Sequence, residues 1–515
     1  MKKSLFIKNT LILTITALIL RFIGMVFRVY MSNKIGAEGM GLYQLIFSVY
    51  ILAATFATSG VSTAVTRLIT DEMVCGTKKS VLHILHRAML ITVIIGTVIN
   101  LAVYFFAPFI GNVFIKDARC IPALKILSFS LNFMGISSCL KGYFMARRKV
   151  LSPSSAQIFE QLVRISVVML MLSGFAHKGV EYCCFAVLFG DTVAEAMSCG
   201  YMYIGYLIDK RKLRVENSAA VRPIKGVVKS ILAIAVPISA GRYLNSLLRT
   251  VENLLVPTSL TSFNGSRELS LEQFGMLKGM AMPIIFFPSS FLMSMSSLLI
   301  PEISEANVLN QNEKIKKSVC RAIRITLMLS ILLSALFTVL ANKLGTLIYN
   351  SKDVGVLIKI LAPLVPFMYL ESVVDGMLKG LNQQNYSLLH SAIDSALRIV
   401  LIVALVPKSG IFGFMFVMVI SNVFTSFLNL LRLIKVTKIR FLAFEWIIKP
   451  LTASVSAAAL SYLFLNLLGD FGIIYLVLYI IITTVLYFAV MYLIKGITDK
   501  DLQFILPKNK MQKAD

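Results

Sequence analysis

The chain has 515 residues, 57% of them hydrophobic and only 15% charged. Soluble domains average about 45–50% apolar and about 25% charged, so an ordinary water-soluble protein is excluded. The formal net charge of +26 suggests nucleic acid at first sight, but the basic residues fall in short loops without interleaved aromatics or a recognisable binding motif, which excludes that partner.

The apolar residues come in continuous blocks of about 20, the length an α-helix needs to cross about 30 Å of hydrocarbon. Continuous blocks also exclude the alternating pattern of a membrane β-barrel. The start, Met1-Lys2-Lys3 followed by an apolar run, imitates a signal peptide. No small-x-small cleavage site follows and Arg21 interrupts the run, so it reads as a retained first helix. Spans are expected near 5–30, 43–67, 84–107, 121–145, 155–174, 182–208, 228–256, 273–300, 320–341, 355–378, 388–407, 411–433, 447–468 and 472–494. The expected fold is thus an all-α polytopic membrane protein of about 14 transmembrane helices. With a cytoplasmic N-terminus, roughly 34 basic residues fall on that side and roughly 8 on the other, so both termini are expected in the cytoplasm.

An internal repeat appears at an offset of about 234 residues. Leu140-Lys141-Gly142 recurs as Leu378-Lys379-Gly380, Glu160 with Arg164-Ile165 recurs as Asp394 with Arg398-Ile399, and Arg21/Arg28 recurs as Arg242/Arg249. The reading is two parallel six-helix lobes, 1–208 and 228–434, joined by a basic cytoplasmic linker 209–227 and followed by an additional helical pair 447–494 and a cytoplasmic tail 495–515.

No GxxxxGK[ST], HExxH, GxSxG or strand-associated GxGxxG motif is present, so enzymatic, ATP-driven and cofactor-dependent readings lose their basis. Seven cysteines show no CxxC or metal spacing and read as small apolar residues, and no metal site is expected. What remains is charge at membrane depth, which is costly enough to mark function.

Arg21 and Arg28 lie two turns apart on one face of the first span, with Gly24 between them and no acid in that span. In the seventh span Arg242, Asn245, Arg249 and Glu252 share a stripe after Pro237, and Glu252 is expected to pair with Arg249 at i,i+3. Lys278 precedes Pro283 and Pro288 with no acid within one turn. Arg21, Arg28, Arg242, Arg249 and Lys278 are therefore the candidate ligands of a cationic cavity, guanidinium forks being suited to phosphate oxygens. Glu160–Arg164 and Asp394–Arg398 read as intrahelical structural ion pairs. Asp191, Glu195, Glu252, Glu371 and Asp375 are candidates for balancing the arginines or for binding a coupling ion of unknown identity.

The segment GAEGMGLYQLIFSVYILAATFATSGVSTAVTRLIT (36–70) and LLIPEISEA (298–306) resemble the polysaccharide transporter branch of the multidrug/oligosaccharidyl-lipid/polysaccharide flippase superfamily, and within it the relatives of the murein lipid II flippases of endospore-forming bacteria. The resemblance implies a V of two six-helix lobes that opens alternately to either side, with the extra pair offering a groove to a polyprenyl tail. It implies a protein of the bacterial cytoplasmic membrane that moves a polyprenyl-pyrophosphate-linked sugar, lipid II-like, beside the enzymes of cell-wall or spore-cortex synthesis; a monomer is expected. The family's first-helix Arg and Gly match Arg21 and Gly24, its second Arg falls one position later at Arg28, and its basic residue five positions before a proline matches Lys278 and Pro283. An acidic residue early in helix two has no counterpart around Leu42 to Gln44. Two other readings compete: a cation-coupled multidrug exporter of the same superfold, which wants a carboxylate in the N-terminal cavity, and a non-transporting scaffold for envelope synthesis.

Overall fold

The computed structural model describes residues 2–75, 77–175, 178–211, 226–468 and 472–496. Most of the expected linker and nearly all of the expected tail lie outside the described residues. Among the described residues there are helices and no strands. The order is α1 (Lys2–Thr58), α2 (Val61–Cys75), α3 (Lys78–Phe109), α4 (Ile121–Ser128), α5 (Ser130–Ala146), α6 (Leu151–Phe175), α7 (Val180–Arg211), α8 (Val227–Asn264), α9 (Arg267–Phe274), α10 (Met282–Phe286), α11 (Ser289–Val308), α12 (Asn312–Tyr349), α13 (Lys352–Leu361), α14 (Val365–Gly380), α15 (Gln384–Thr437), α16 (Lys449–Leu468) and α17 (Ile473–Leu493).

Long apolar blocks make these helices because hydrocarbon offers no other partner to the backbone. Their ends are set by local chemistry. Thr77 and Ser351 cap α3 and α13 by accepting from the N–H of Ser80 and Val354, and Asn350 closes α12 in the left-handed region.

Among the described residues eleven helices are long and apolar enough to cross a membrane, or twelve if Arg267–Phe286 and Ser289–Val308 form one broken span. This falls short of the expected fourteen, and the reason is local. The stretch Ile12–Val74 and the 54-residue α15 each count once, although α1 and α15 are broken inside at Gly36 (φ 73°) and Gly410 (φ 60°). A left-handed residue without a Cβ redirects the chain there while the hydrogen-bond ladder stays nearly unbroken.

Packing divides the chain into two units, residues 1–283 with 391–417 and residues 284–390 with 418–515. This division does not fall at the 209–227 linker, since α8 packs with α1 and α2. In the first unit α2, α3, α5 and α7 enclose Tyr143, Phe144 and Tyr206. Asp209, near the end of α7, is buried under Arg147, Lys149 (2.5 Å) and the Tyr143 hydroxyl (3.0 Å). In the second unit α12 packs on α13, α14 and α16, and α11 on α14.

The Leu-Lys-Gly repeat has a packing reason. A Cβ on Gly142 would stand 2.7 Å from the Ser62 carbonyl oxygen, and one on Gly380 would stand 3.0 Å from that of Ile300. Each glycine lets its helix, α5 or α14, touch the backbone of a neighbour, α2 or α11.

Candidate functional site

Two adjoining cavities of about 440 Å³ and 590 Å³ open in the first unit and share Thr55, Thr58, Met134, Gln161, Arg164 and Glu195. Helix α1 presents one face to them, with Leu20, Gly24, Phe27, Arg28 and Met31 as lining residues. A Cβ at Gly24 would meet nothing within 4 Å, so the glycine borders open space. Arg28 lines the smaller cavity with Tyr43, Tyr50, Asp191 and Glu195. Tyr50 is fixed by a 2.7 Å hydrogen bond from the Ser130 hydroxyl. Arg242, from α8, lines the larger cavity together with Lys141, Glu160 and Glu195. Arg21 and Arg249 are exposed and line neither cavity.

Arg164 stands where the cavities meet and is held on three sides. Its Nε lies 2.6 Å from Asp191, its Nη2 2.7 Å from Glu160, and its Nη1 donates to the Gln161 amide oxygen at 2.7 Å. The intrahelical pair with Glu160 is present, and Asp191 of α7 is a further partner. The other Asp191 oxygen, Oδ2, is buried without a hydrogen-bond partner among the described residues.

Arg398 carries the matching pair to Asp394 at 3.4 Å, but its second acid is Glu252 of α8, reached at 3.0 and 3.2 Å. One expectation is corrected here: Glu252 pairs with Arg398 and not with Arg249. Lys278 has no acid within one turn of sequence, but its Nζ lies 3.7 Å from the same Glu252. The reason is burial. The Glu252 side chain is only 4% exposed, and a desolvated carboxylate gains far more from largely buried cations on neighbouring elements than from an arginine in the open. Lys278, on the π-helical turn Gly275–Ala281 and 5.6 Å from the Phe414 ring centre, completes that group instead of lining the cavities.

In the second unit Asp375 is bridged to Lys379 at 2.5 Å and accepts from the Ser387 hydroxyl, while Glu371 is half-buried. A third cavity of about 990 Å³ lies there between α12, α14, α15 and α16, with Ile331, Val339, Phe367, Phe427, Leu451 and Tyr462 in its wall and no charged residue. Sequence reasoning passed over Lys141, Tyr43, Tyr50 and Gln161 as site residues. Lys141 alone left a trace, as part of the repeat. Among the described residues no cluster of His, Cys, Asp and Glu has the makings of a metal site.

The polysaccharide biosynthesis protein family profile matches residues 6–307, more than half of the chain. The chain belongs to that family. A MatE profile matches residues 278–404. Among this family member's relatives, stage V sporulation protein B of Bacillus subtilis (strain 168) is 26% identical over 470 residues, covering 90% of this chain and 91% of that protein. Lipid II flippase MurJ of the same organism is 21% identical, covering 78% of each. Among solved structures, lipid II flippase MurJ in an inward closed conformation superposes with a TM-score of 0.71 at 15% identity, over 95% of this chain and 98% of that one. An inward-facing MATE family multidrug transporter of the MOP superfamily gives 0.64 at 17% identity, over 82% and 99%. The protein is therefore a multi-pass membrane protein with the helical fold of these solved structures, and the proteins it resembles include a lipid II flippase and a multidrug transporter.

Proposed function

We propose that this chain is a flippase that carries a lipid-linked oligosaccharide or peptidoglycan precursor, lipid II-like and borne on undecaprenyl pyrophosphate, from the inner to the outer leaflet by alternating access, for cell-wall or spore-cortex synthesis. The observation that carries the reading is Arg28 and Arg242 lining polar cavities within membrane-spanning helices, a depth at which charge is costly unless a partner or ligand shares it. The uncharged 990 Å³ cavity suits the other half of the same substrate, an isoprenoid chain. The named activities of the relatives, a lipid II flippase among them, support the same reading. An inside-negative potential favours outward passage of an anionic headgroup by about 2.3 kcal/mol per charge per 100 mV, so no nucleotide site is required.

The test is the outer-leaflet accessibility of lipid II in bacteria depleted of their other flippases. The wild-type chain restores it; Arg28→Ala and Arg242→Ala reduce the rate by about tenfold or more, the loss expected for a hydrogen bond to a charged group. Arg28→Lys separates bidentate recognition, lost in lysine, from simple charge, kept by it. Wild-type rates in both alanine variants overturn the reading. One observation favours the exporter of organic cations: Glu195 lines both cavities and has no ion pair among the described residues. Under that alternative Glu195→Gln abolishes drug resistance while lipid II accessibility never depends on the chain.

A further inference from the structure

We propose that Lys141, together with Arg242, forms the pyrophosphate-capturing end of the cavity; the inference rests on the flippase reading and names the part of the site that takes the anion. The two cavities differ in charge. Arg28 and Arg164 in the smaller one face Asp191 and Glu195, two cations against two acids. The larger one sets Lys141, Arg164 and Arg242 against Glu160 and Glu195, three cations against two acids. Arg164 and Glu160 already neutralise each other at 2.7 Å. An anion entering this unit therefore finds its excess of positive charge at Lys141 and Arg242.

The internal repeat supplies the control. Lys141 and Lys379 occupy the same place in Leu-Lys-Gly, and both following glycines are packed against a neighbouring backbone. Four residues earlier stands Ser137 in one copy and Asp375 in the other. Lys379 is consequently tied to Asp375 at 2.5 Å, whereas Lys141 is exposed to the cavity and has no acidic partner among the described residues. The glycine packing is thus common to both copies, and the tethering acid is not.

The walls around Lys141 add hydroxyl groups from Ser59, Ser62, Thr63 and Ser138. The Ser59 hydroxyl is buried and lacks a hydrogen-bond partner among the described residues, a donor waiting for an acceptor at the cavity edge. Two separated cations and several hydroxyls match a pyrophosphate and the first sugar beyond it. With the N-terminus inside, this end of α5 faces the inner leaflet, where the substrate enters.

The experiment measures binding of undecaprenyl pyrophosphate without sugar, and of its glycosylated form, to the full-length chain in lipid nanodiscs. Lys141→Ala and Lys141→Gln are expected to weaken both ligands by about tenfold, Lys141→Arg to keep affinity within about threefold, and Lys379→Ala to change it less than twofold. Unchanged melting of the Lys141 variants in the same discs shows that they fold. Wild-type affinity in both neutral variants, or equal losses at Lys141 and Lys379, overturns the inference and leaves the flippase reading standing. Loss confined to the glycosylated ligand also overturns it, by moving Lys141 from the pyrophosphate to the sugar. A wild-type chain that binds neither ligand overturns both.

Discussion

The two copies of the acid-x-x-x-Arg motif, Glu160–Arg164 and Asp394–Arg398, share an intrahelical pair and differ in everything beyond it. Arg164 takes its second acid from α7 and sits where two cavities meet, leaving one Asp191 oxygen buried and unpartnered among the described residues. Arg398 takes its second acid from α8, and Lys278 closes on the same carboxylate. The first group sets one cation against two acids and borders empty space; the second, closed one sets two against two and lines neither cavity. A repeat preserves what one helix decides for itself, whereas each neighbouring element decides how the remaining charge is met. On the flippase reading proposed above, the closed group belongs to stability and the open one to traffic through the cavity.

The sharpest way to break this comparison is to remove the carboxylate at the centre of the closed group. Glu252→Ala takes from Lys278 its acid and from Arg398 the closer of its two, both cations being about four-fifths buried, and is expected to cost about 3–5 kcal/mol, the usual penalty for taking one partner from a buried ion pair. The reading is the thermal midpoint of the purified protein, and Lys278→Met added to Glu252→Ala recovers part of the loss by removing one stranded charge. A smaller effect follows at the open group. Asp191→Asn leaves Arg164 its bonds to Glu160 and Gln161, so the expected cost is about 1–3 kcal/mol, with a larger change in transport than in melting. Equal destabilisation by the two substitutions means that the open group is as structural as the closed one.

How much of this was legible follows from the range of each interaction. Helices and the membrane class could be read from block length alone, because hydrocarbon leaves the backbone no other solution. Glu160–Arg164 and Asp394–Arg398 were legible because i,i+4 is a property of one helix. The partner of Glu252 was not, since Arg398 lies 146 residues away and nothing local marks that the carboxylate turns inward while Arg249 stays in the open. Lys141 hid for the opposite reason: its repeat drew attention to the packing of Gly142, and only the cavity shows what the missing acid at Ser137 leaves free. The uncharged cavity of the second unit leaves no mark in sequence either, because Phe427 or Leu451 is as apolar facing lipid as facing a groove.

The mildest test concerns what the two motifs have in common. Asp394→Asn and Glu160→Gln each remove an acid one turn before the arginine, where the contact is 3.4 Å in one copy and 2.7 Å in the other. In both, the arginine keeps its acid from the neighbouring element, Glu252 or Asp191, so the expected cost is only about 1 kcal/mol. Both variants are expected to melt within a few degrees of wild type, with Glu160→Gln the larger of the two because its contact is shorter and lies at the cavity wall. Glu160→Gln also frees part of the Arg164 charge next to Lys141 and Arg242, so it should tighten undecaprenyl pyrophosphate binding by about twofold to threefold, while Asp394→Asn leaves binding unchanged. Tightening in both variants would show that the charge of the closed group reaches the ligand, and the distinction between the two copies would then fail.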